Sequence, residues 1–147
     1  MAKPSIEDRI AIEDLFIRYT TSLDDFDIAG IESCFVEDCA LVTPNHGEFR
    51  GKSSIREWMK PNLAVKDLGG RFRHVISNFT MDVNGDHAKA GCYLLDFLII
   101  DGHTKLLSPG IYDCDLVRIG GEWLFERRTV IMDKPYSLPQ AQPPAHG

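Results

Sequence analysis

No stretch of the chain holds the eighteen or so consecutive apolar residues that a membrane-crossing helix needs. The opening segment MAKPSIEDRIAIEDL carries acidic residues where a secretory signal would carry a long apolar core. The expectation is a soluble, cytoplasmic protein with no membrane partner. Positive charge is also scarce: 16 Lys and Arg stand against 22 Asp and Glu, giving a net charge of -6 and a pI near 5.3. The basic residues form no cluster that could grip a polyanion, so nucleic acid is not an expected partner. Cys34, Cys39, Cys92 and Cys114 form no CxxC pair and have no histidine at zinc-finger spacing. They read as small, reduced apolar side chains, which leaves no disulfide and no metal site to expect. Internal repeats are absent as well.

What is present suffices for one domain, since 147 residues can bury a core and still leave room for a pocket. Ile6, Ile10, Ile12, Leu15, Phe16, Tyr19 and Leu23 recur at steps of three and four, which predicts an amphipathic helix from Ser5 to about Leu23. Ser5 and Asp8 open it in a capping-box-like arrangement. A shorter helix is expected from Ile28 to Phe35 behind an Asp27 N-cap. A third should run from Ser53 to about Asn62, with Ile55, Trp58 and Met59 on one face. Between the second and third, ALVTPNHGEF reads as a short hairpin turning at Asn45-His46-Gly47.

After Gly69-Gly70 the period drops to two. Four strands follow, Arg71 to Val83, His87 to Ile100, Lys105 to Ile119 and Glu122 to Ile131. They are joined by Asn84-Gly85-Asp86, Asp101-Gly102-His103 and Gly120-Gly121. Helices followed by a meander predict an α+β fold with the helices on one face of a mostly antiparallel sheet. So long a sheet must curl, and helices against its concave face leave a conical cavity, the expected ligand site. Pro135, Pro139, Pro143 and Pro144 exclude the end of the chain from the sheet interior. The division is thus a domain over 1–132 and an irregular Pro-rich tail over 133–147, which covers the pocket or a neighbour, or is disordered.

Tyr19, Asp24 and His74 supply a phenol, a carboxylate and an imidazole, a set that can run acid–base chemistry without a cofactor. Each also has a plain reading. His74 among apolar neighbours resembles a core histidine satisfied by one hydrogen bond. Asp24, beside Asp25 and near Asp27, resembles a solvated turn that caps the next helix. As a functional group Asp24 would accept from His74 Nδ1–H, set the tautomer and stabilise the imidazolium formed when Nε2 takes a substrate proton. Tyr19 precedes Asp24 by about 140° of rotation on a continuous helix. The two can meet only if the helix ends or the pocket wraps it. In that case the phenol would donate to a substrate carbonyl or leaving group.

Strand alternation sets Phe72, His74, Ile76, Asn78 and Thr80 on one face and Arg73, Val75, Ser77, Phe79 and Met81 on the other. Asp96 in YLLDFLII is a carboxylate in an apolar strand, so it must pair, take up a proton or face a wet cavity. Arg128 is its candidate partner. Trp123 reads as core.

Taken in order, AIEDLFIRY, Asp24, Phe35 with Glu37-Asp38, FRGKSSI, HVISN at 74–78, GDHA at 85–88, Gly110-Ile111-Tyr112 and Gly121-Glu122-Trp123 resemble the SnoaL-like branch of the nuclear-transport-factor-2-like superfamily. The resemblance covers about residues 5 to 132. It implies a cone-shaped, cystatin-like α+β barrel with three N-terminal helices packed on a curved sheet. From scytalone dehydratase and γ-hexachlorocyclohexane dehydrochlorinase it implies that Asp24 and His74 are a catalytic dyad, and from bile-acid 7α-dehydratase that Tyr19 joins them. By the same strand alignment Leu94, Asp96, Ser108, Tyr112, Arg128 and Met132 fall on pocket positions, with Phe72 and Asn78 as further substrate-binding candidates. Polar Asp96 and Ser108 favour an oxygenated substrate over a chlorinated ring.

The implied function is a cofactor-independent lyase. It would be a dehydratase that removes a carbon-bound proton from a cyclic, hydrophobic, oxygenated small molecule of polyketide, steroid or aromatic type. A ketosteroid-isomerase-like isomerase, a polyketide cyclase and a non-catalytic small-molecule-binding module are the alternatives, because fold does not fix function. The family likeness also implies a homodimer or homotrimer.

Overall fold

The computed structural model describes residues 3–43 and 47–140. Ser5 opens the first helix, its hydroxyl accepting from the Asp8 N–H at 3.0 Å, which satisfies one of the donors that a helix start leaves without a partner. Helix α1 spans Ile6–Asp24 and buries Ile12, Leu15, Phe16, Tyr19 and Leu23. Phe26 takes a φ of 54° and turns the chain, and Asp27 caps α2 (Ile28–Glu32) through the Gly30 N–H.

Helix α2 stops short of the expected Phe35. That residue instead begins β1 (Phe35–Thr43), because its ring packs on Tyr19 and Phe125 with centroids 5.6 and 5.2 Å away. The partner of β1 in the first hairpin is β2 (Gly47–Arg50). Of the turn expected there, Asn45 and His46 lie outside the described residues. The expected third helix is divided into a 3-10 turn (Lys52–Ser54), α3 (Ile55–Trp58) and α4 (Lys60–Asp67). Pro61 explains the break, since it suits the first turn of a helix and cannot continue one already under way.

The meander comes next: β3 (Arg71–Asn84), β4 (His87–Ile100), β5 (His103–Ile119) and β6 (Glu122–Met132), each antiparallel to the one before. Asp101-Gly102 and Gly120-Gly121 have positive φ at both positions, the turn geometry that matches strand twist. Strand β6 then pairs in parallel with β1, so the sheet order is β2-β1-β6-β5-β4-β3. The result is an α+β fold with helices on a curved, unclosed, mostly antiparallel sheet.

The alternation expected along β3 breaks at a bulge. The register slips between Ser77 and Thr80, and Asn78 adopts a φ of 59°. Phe72, His74 and Ile76 face inward before the slip, and Phe79, Met81 and Val83 do so after it. Asn78 itself is exposed. Its assignment to the pocket is therefore corrected: the extra residue turns its side chain out to solvent.

Between the layers Phe16, Tyr19, Phe35, Tyr112 and Phe125 form the aromatic centre of the main core. Trp123 belongs to this core, and its Nε1–H donates to Asp8 at 3.1 Å. All four cysteines are buried and free. A smaller cluster of Val65, Phe72, Leu98 and Leu107 closes the other end, with Leu138 of the tail against it. The tail over 133–140 is irregular. It is pinned at its root by Asp133 N–H to the Pro109 carbonyl at 2.9 Å and Lys134 N–H to Ser108 Oγ at 3.1 Å. Among the described residues no helix is long and apolar enough to cross a membrane.

Candidate active site

Asp24 is the last residue of α1, an unfavourable place for an anion because the carbonyl end of a helix is already partly negative. Two bonds from β3 compensate. The His74 backbone N–H donates to Asp24 Oδ2 at 3.1 Å, and His74 Nδ1 lies 2.5 Å from Oδ1. Strand β3 is at the sheet edge, so the first bond also satisfies a main-chain donor that no further strand takes. One carboxylate thereby sets both the backbone and the ring of His74. With Nδ1 donating to Asp24, Nε2 is the nitrogen left to act as an acceptor.

Nε2 lies 3.5 Å from Oδ1 of Asp96, the cross-strand neighbour of His74 on β4. The separation is within ion-pair range, yet Oδ1 has no aligned hydrogen bond among the described residues. Burial pushes the His74 pKa down, but the Asp24 hydrogen bond and the charges of Asp96 and Asp24 outweigh it. The imidazole ends above its ordinary value, with Arg128 opposing. Burial raises the Asp96 carboxyl, the nearby imidazolium lowers it and Asp24 raises it further. Imidazole and carboxyl therefore behave as a pair that shares a proton. Tyr136 of the tail places its hydroxyl 3.5 Å from Asp96 Oδ2. Burial and the Asp96 charge push that phenol up to about 12, which keeps it a donor.

These groups border a cavity of about 390 Å³ between helices and sheet, a size suited to a small molecule. Leu23, Phe49, Trp58 and Val130 are among its apolar walls. Arg128 also lines it, only 1% exposed, with its guanidinium over the rings of Trp58, Tyr19 and Tyr112 at 5.1, 5.9 and 5.9 Å. Burial holds the Tyr19 and Tyr112 phenols well above their ordinary range, against the pull of Arg128, so both stay protonated. Among the described residues no group of three His, Cys, Asp or Glu is arranged to hold a metal ion.

The structure brings most of the sequence candidates together. His74, Tyr19, Leu94, Asp96, Tyr112, Arg128, Met132 and Phe72 all line the cavity. Asp24 stands behind His74, not on the wall. The rotation between Tyr19 and Asp24 is accommodated because α1 ends at Asp24. Tyr19 points to the core side of the cavity, while Asp24 reaches β3 from the last turn.

Asn78, on the exposed bulge, is excluded. Ser108 is corrected too. It is fully buried but not on the cavity wall, because its hydroxyl donates to the Pro109 carbonyl at 2.6 Å and accepts from Lys134 N–H. Thr43, Trp58, Tyr136 and Leu138 line the cavity without having been singled out for it. Trp58 reaches it because Pro61 breaks the helix. An aromatic side chain inside a Pro-rich tail is the one sequence signal that marks Tyr136.

A family profile described as a SnoaL-like domain matches residues 4–129. An uncharacterized protein of Mycobacterium tuberculosis is 25% identical over 126 residues, 84% of each chain. The solved structure of a candidate aromatic ring hydroxylase from Novosphingobium aromaticivorans is similar at a TM-score of 0.77 and 26% identity, covering 93% of this chain and 96% of that one. A candidate scytalone dehydratase from the same organism has a TM-score of 0.77 at 20% identity, covering 97% and 96%, a likeness of fold.

Proposed function

The chain belongs to the SnoaL-like domain family, has the nuclear-transport-factor-2-like fold and shares that fold with a candidate scytalone dehydratase, and on that premise we propose that it is a cofactor-independent dehydratase. Its substrate is a cyclic, hydrophobic, oxygenated small molecule. The observation that carries the reading is the Asp24–His74 contact of 2.5 Å, which leaves Nε2 free to face a buried cavity.

His74 Nε2 removes a proton from carbon, and Asp24 stabilises the imidazolium through Nδ1–H. The electrons of the broken C–H bond form the new double bond, and the neighbouring C–O bond breaks. Asp96, whose proton burial retains, transfers it to the departing oxygen, which leaves as water. The imidazolium then returns its proton to the Asp96 carboxylate across the 3.5 Å separation, so both groups regain their starting states. The low-dielectric cavity strengthens each of these interactions.

Incubation with a panel of cyclic β-hydroxy ketones, followed by mass spectrometry, tests the reading. Loss of water is expected, and His74→Gln should turn over about 10²- to 10⁴-fold more slowly. Unimpaired turnover by that variant would sink the mechanism. A second reading, isomerisation, is favoured by the raised Asp96 carboxyl beside the base, which would donate a hydrogen bond to the enolate oxygen while His74 returns the abstracted proton to a different carbon, with no C–O cleavage. A product of unchanged mass would identify it.

A further inference from the structure

Among the described residues, the buried side-chain polar atoms with no hydrogen-bond partner are Tyr19 Oη, Thr43 Oγ1, Asp96 Oδ1 and Arg128 Nε and Nη2. Every one belongs to a residue of the same cavity. Asp96 Oδ1 is at the His74 end. The others are donors, and they gather at the opposite end, where β1 and β6 run in parallel. Leu41 is beside Arg128 and Val42 beside Thr129, which brings Thr43 at the end of β1 close to Arg128. The Tyr19 ring lies under the guanidinium.

A guanidinium does not give up its proton in a protein, and a buried, unpaired charge is costly. The adjacent Arg127 forms an ion pair with Glu48 at 3.0 Å, whereas Arg128 has no carboxylate partner among the described residues. Aromatic rings offset part of the cost. The rings of Trp58, Tyr19 and Tyr112 lie about the guanidinium, and Nε and Nη2 are left without a hydrogen-bond partner.

We propose that this end of the cavity is a carboxylate-binding subsite. The planar Nε/Nη2 edge matches a planar carboxylate in a two-bond fork, and the hydroxyls of Thr43 and Tyr19 donate to the same oxygens. A single fixed cation balances a monoanion, which favours a carboxylate over a phosphate dianion. Strands β6 and β3 are separated by β5 and β4, about 14 Å between backbones at ordinary strand spacing, and both side chains reach inward across that width. The carboxylate and the reacting carbon are therefore at opposite ends of the substrate, with the ring system between them. Only the assignment of the reacting end rests on the dehydratase reading.

Calorimetric titration with 2-naphthoate and the isosteric, uncharged 2-naphthamide tests the subsite. The wild-type protein should bind the carboxylate at least about tenfold more tightly. Arg128→Gln should abolish the preference and Arg128→Lys should retain part of it, each with folding checked by circular dichroism. If Arg128→Gln does not fold, the double variant Thr43→Val/Tyr19→Phe, with Arg128 intact, should reduce the preference several-fold. His74→Gln should keep the preference while losing turnover, so failure of the subsite is distinguishable from failure of the dehydratase reading. Equal binding of the two probes by the wild-type protein, or an undiminished preference in Arg128→Gln, overturns the proposal.

Discussion

His74 stands between two carboxylates that act on different nitrogens, Asp24 at Nδ1 and Asp96 beyond Nε2, and their loss should have different consequences. Without Asp24 the ring loses the hydrogen bond that opposes burial. The His74 pKa in Asp24→Asn is therefore expected to fall below the ordinary imidazole value of about 6.5. Asp96→Asn removes only a charge and should lower it less. Titration of the His74 ring protons by NMR measures both changes, and an unmoved pKa in Asp24→Asn would contradict the assignment.

The sign for stability follows from linkage. A histidine raised in the folded state contributes fully below its unfolded value, and that contribution is lost as pH climbs through the folded value. The raised Asp96 carboxyl acts in the same direction, because folding favours its protonated form. The urea midpoint should therefore decline as pH rises above the ordinary imidazole value of about 6.5, and decline less in His74→Gln. The buried thiols, also raised by burial, add a similar loss at higher pH that the variant comparison subtracts.

At the scale of elements, the bulge in β3 decides which residues face inward. Asn78 has the left-handed backbone that an L-residue other than Asn, Asp or Gly adopts at a cost. Asn78→Gly should leave the urea midpoint nearly unchanged, and Asn78→Val should cost roughly 1–2 kcal/mol. Equal stability of the two would mean that the local conformation is not what constrains this position.

The bulge also shows where sequence reading reaches its limit. Period-two patterning locates β3 and puts Phe72 and His74 on one face, but a single inserted residue is invisible to a pattern count, so the pattern assigns Asn78 to the wrong side. Helix α1 was legible because its cap and its apolar stripe agree, and the strand ends were legible from their Gly-containing turns. Phe35 was not, because the decision between helix and strand was made by rings distant in sequence, Tyr19 and Phe125. The Asp24–His74 pair was readable only as a combination of suitable residue types at family positions. No local pattern states that residues fifty positions apart meet. Ser108 was misplaced for a similar reason: its hydroxyl is used by a tail whose path no periodicity describes.

For the molecule as a whole, the cavity conflicts with stability. Among the described residues a cation and two hydroxyls are kept inside without hydrogen-bond partners, an arrangement that selection for stability alone would remove. Arg128→Met, apolar and of similar length, is expected to raise the unfolding free energy by roughly 1 kcal/mol or more while eliminating carboxylate binding. Denaturant unfolding alongside the naphthoate titration checks both halves. A destabilised variant would mean that the stacked rings of Trp58, Tyr19 and Tyr112 already compensate the charge.

The parallel pairing of β1 with β6 bears on the order in which the protein can be made. Strand β1 leaves the ribosome early, yet apart from the short β2 its neighbour in the sheet is the last strand synthesised. An isolated hairpin is marginal in water, so β1 and β2 have no stable docking site until residues 122–132 have emerged. The Asp24–His74 pair, on α1 and β3, can come together sooner. A nascent chain would thus assemble the His74 end of the cavity before the wall carrying Arg128, and any stall in translation before β6 would present the apolar face of β1 to chaperones.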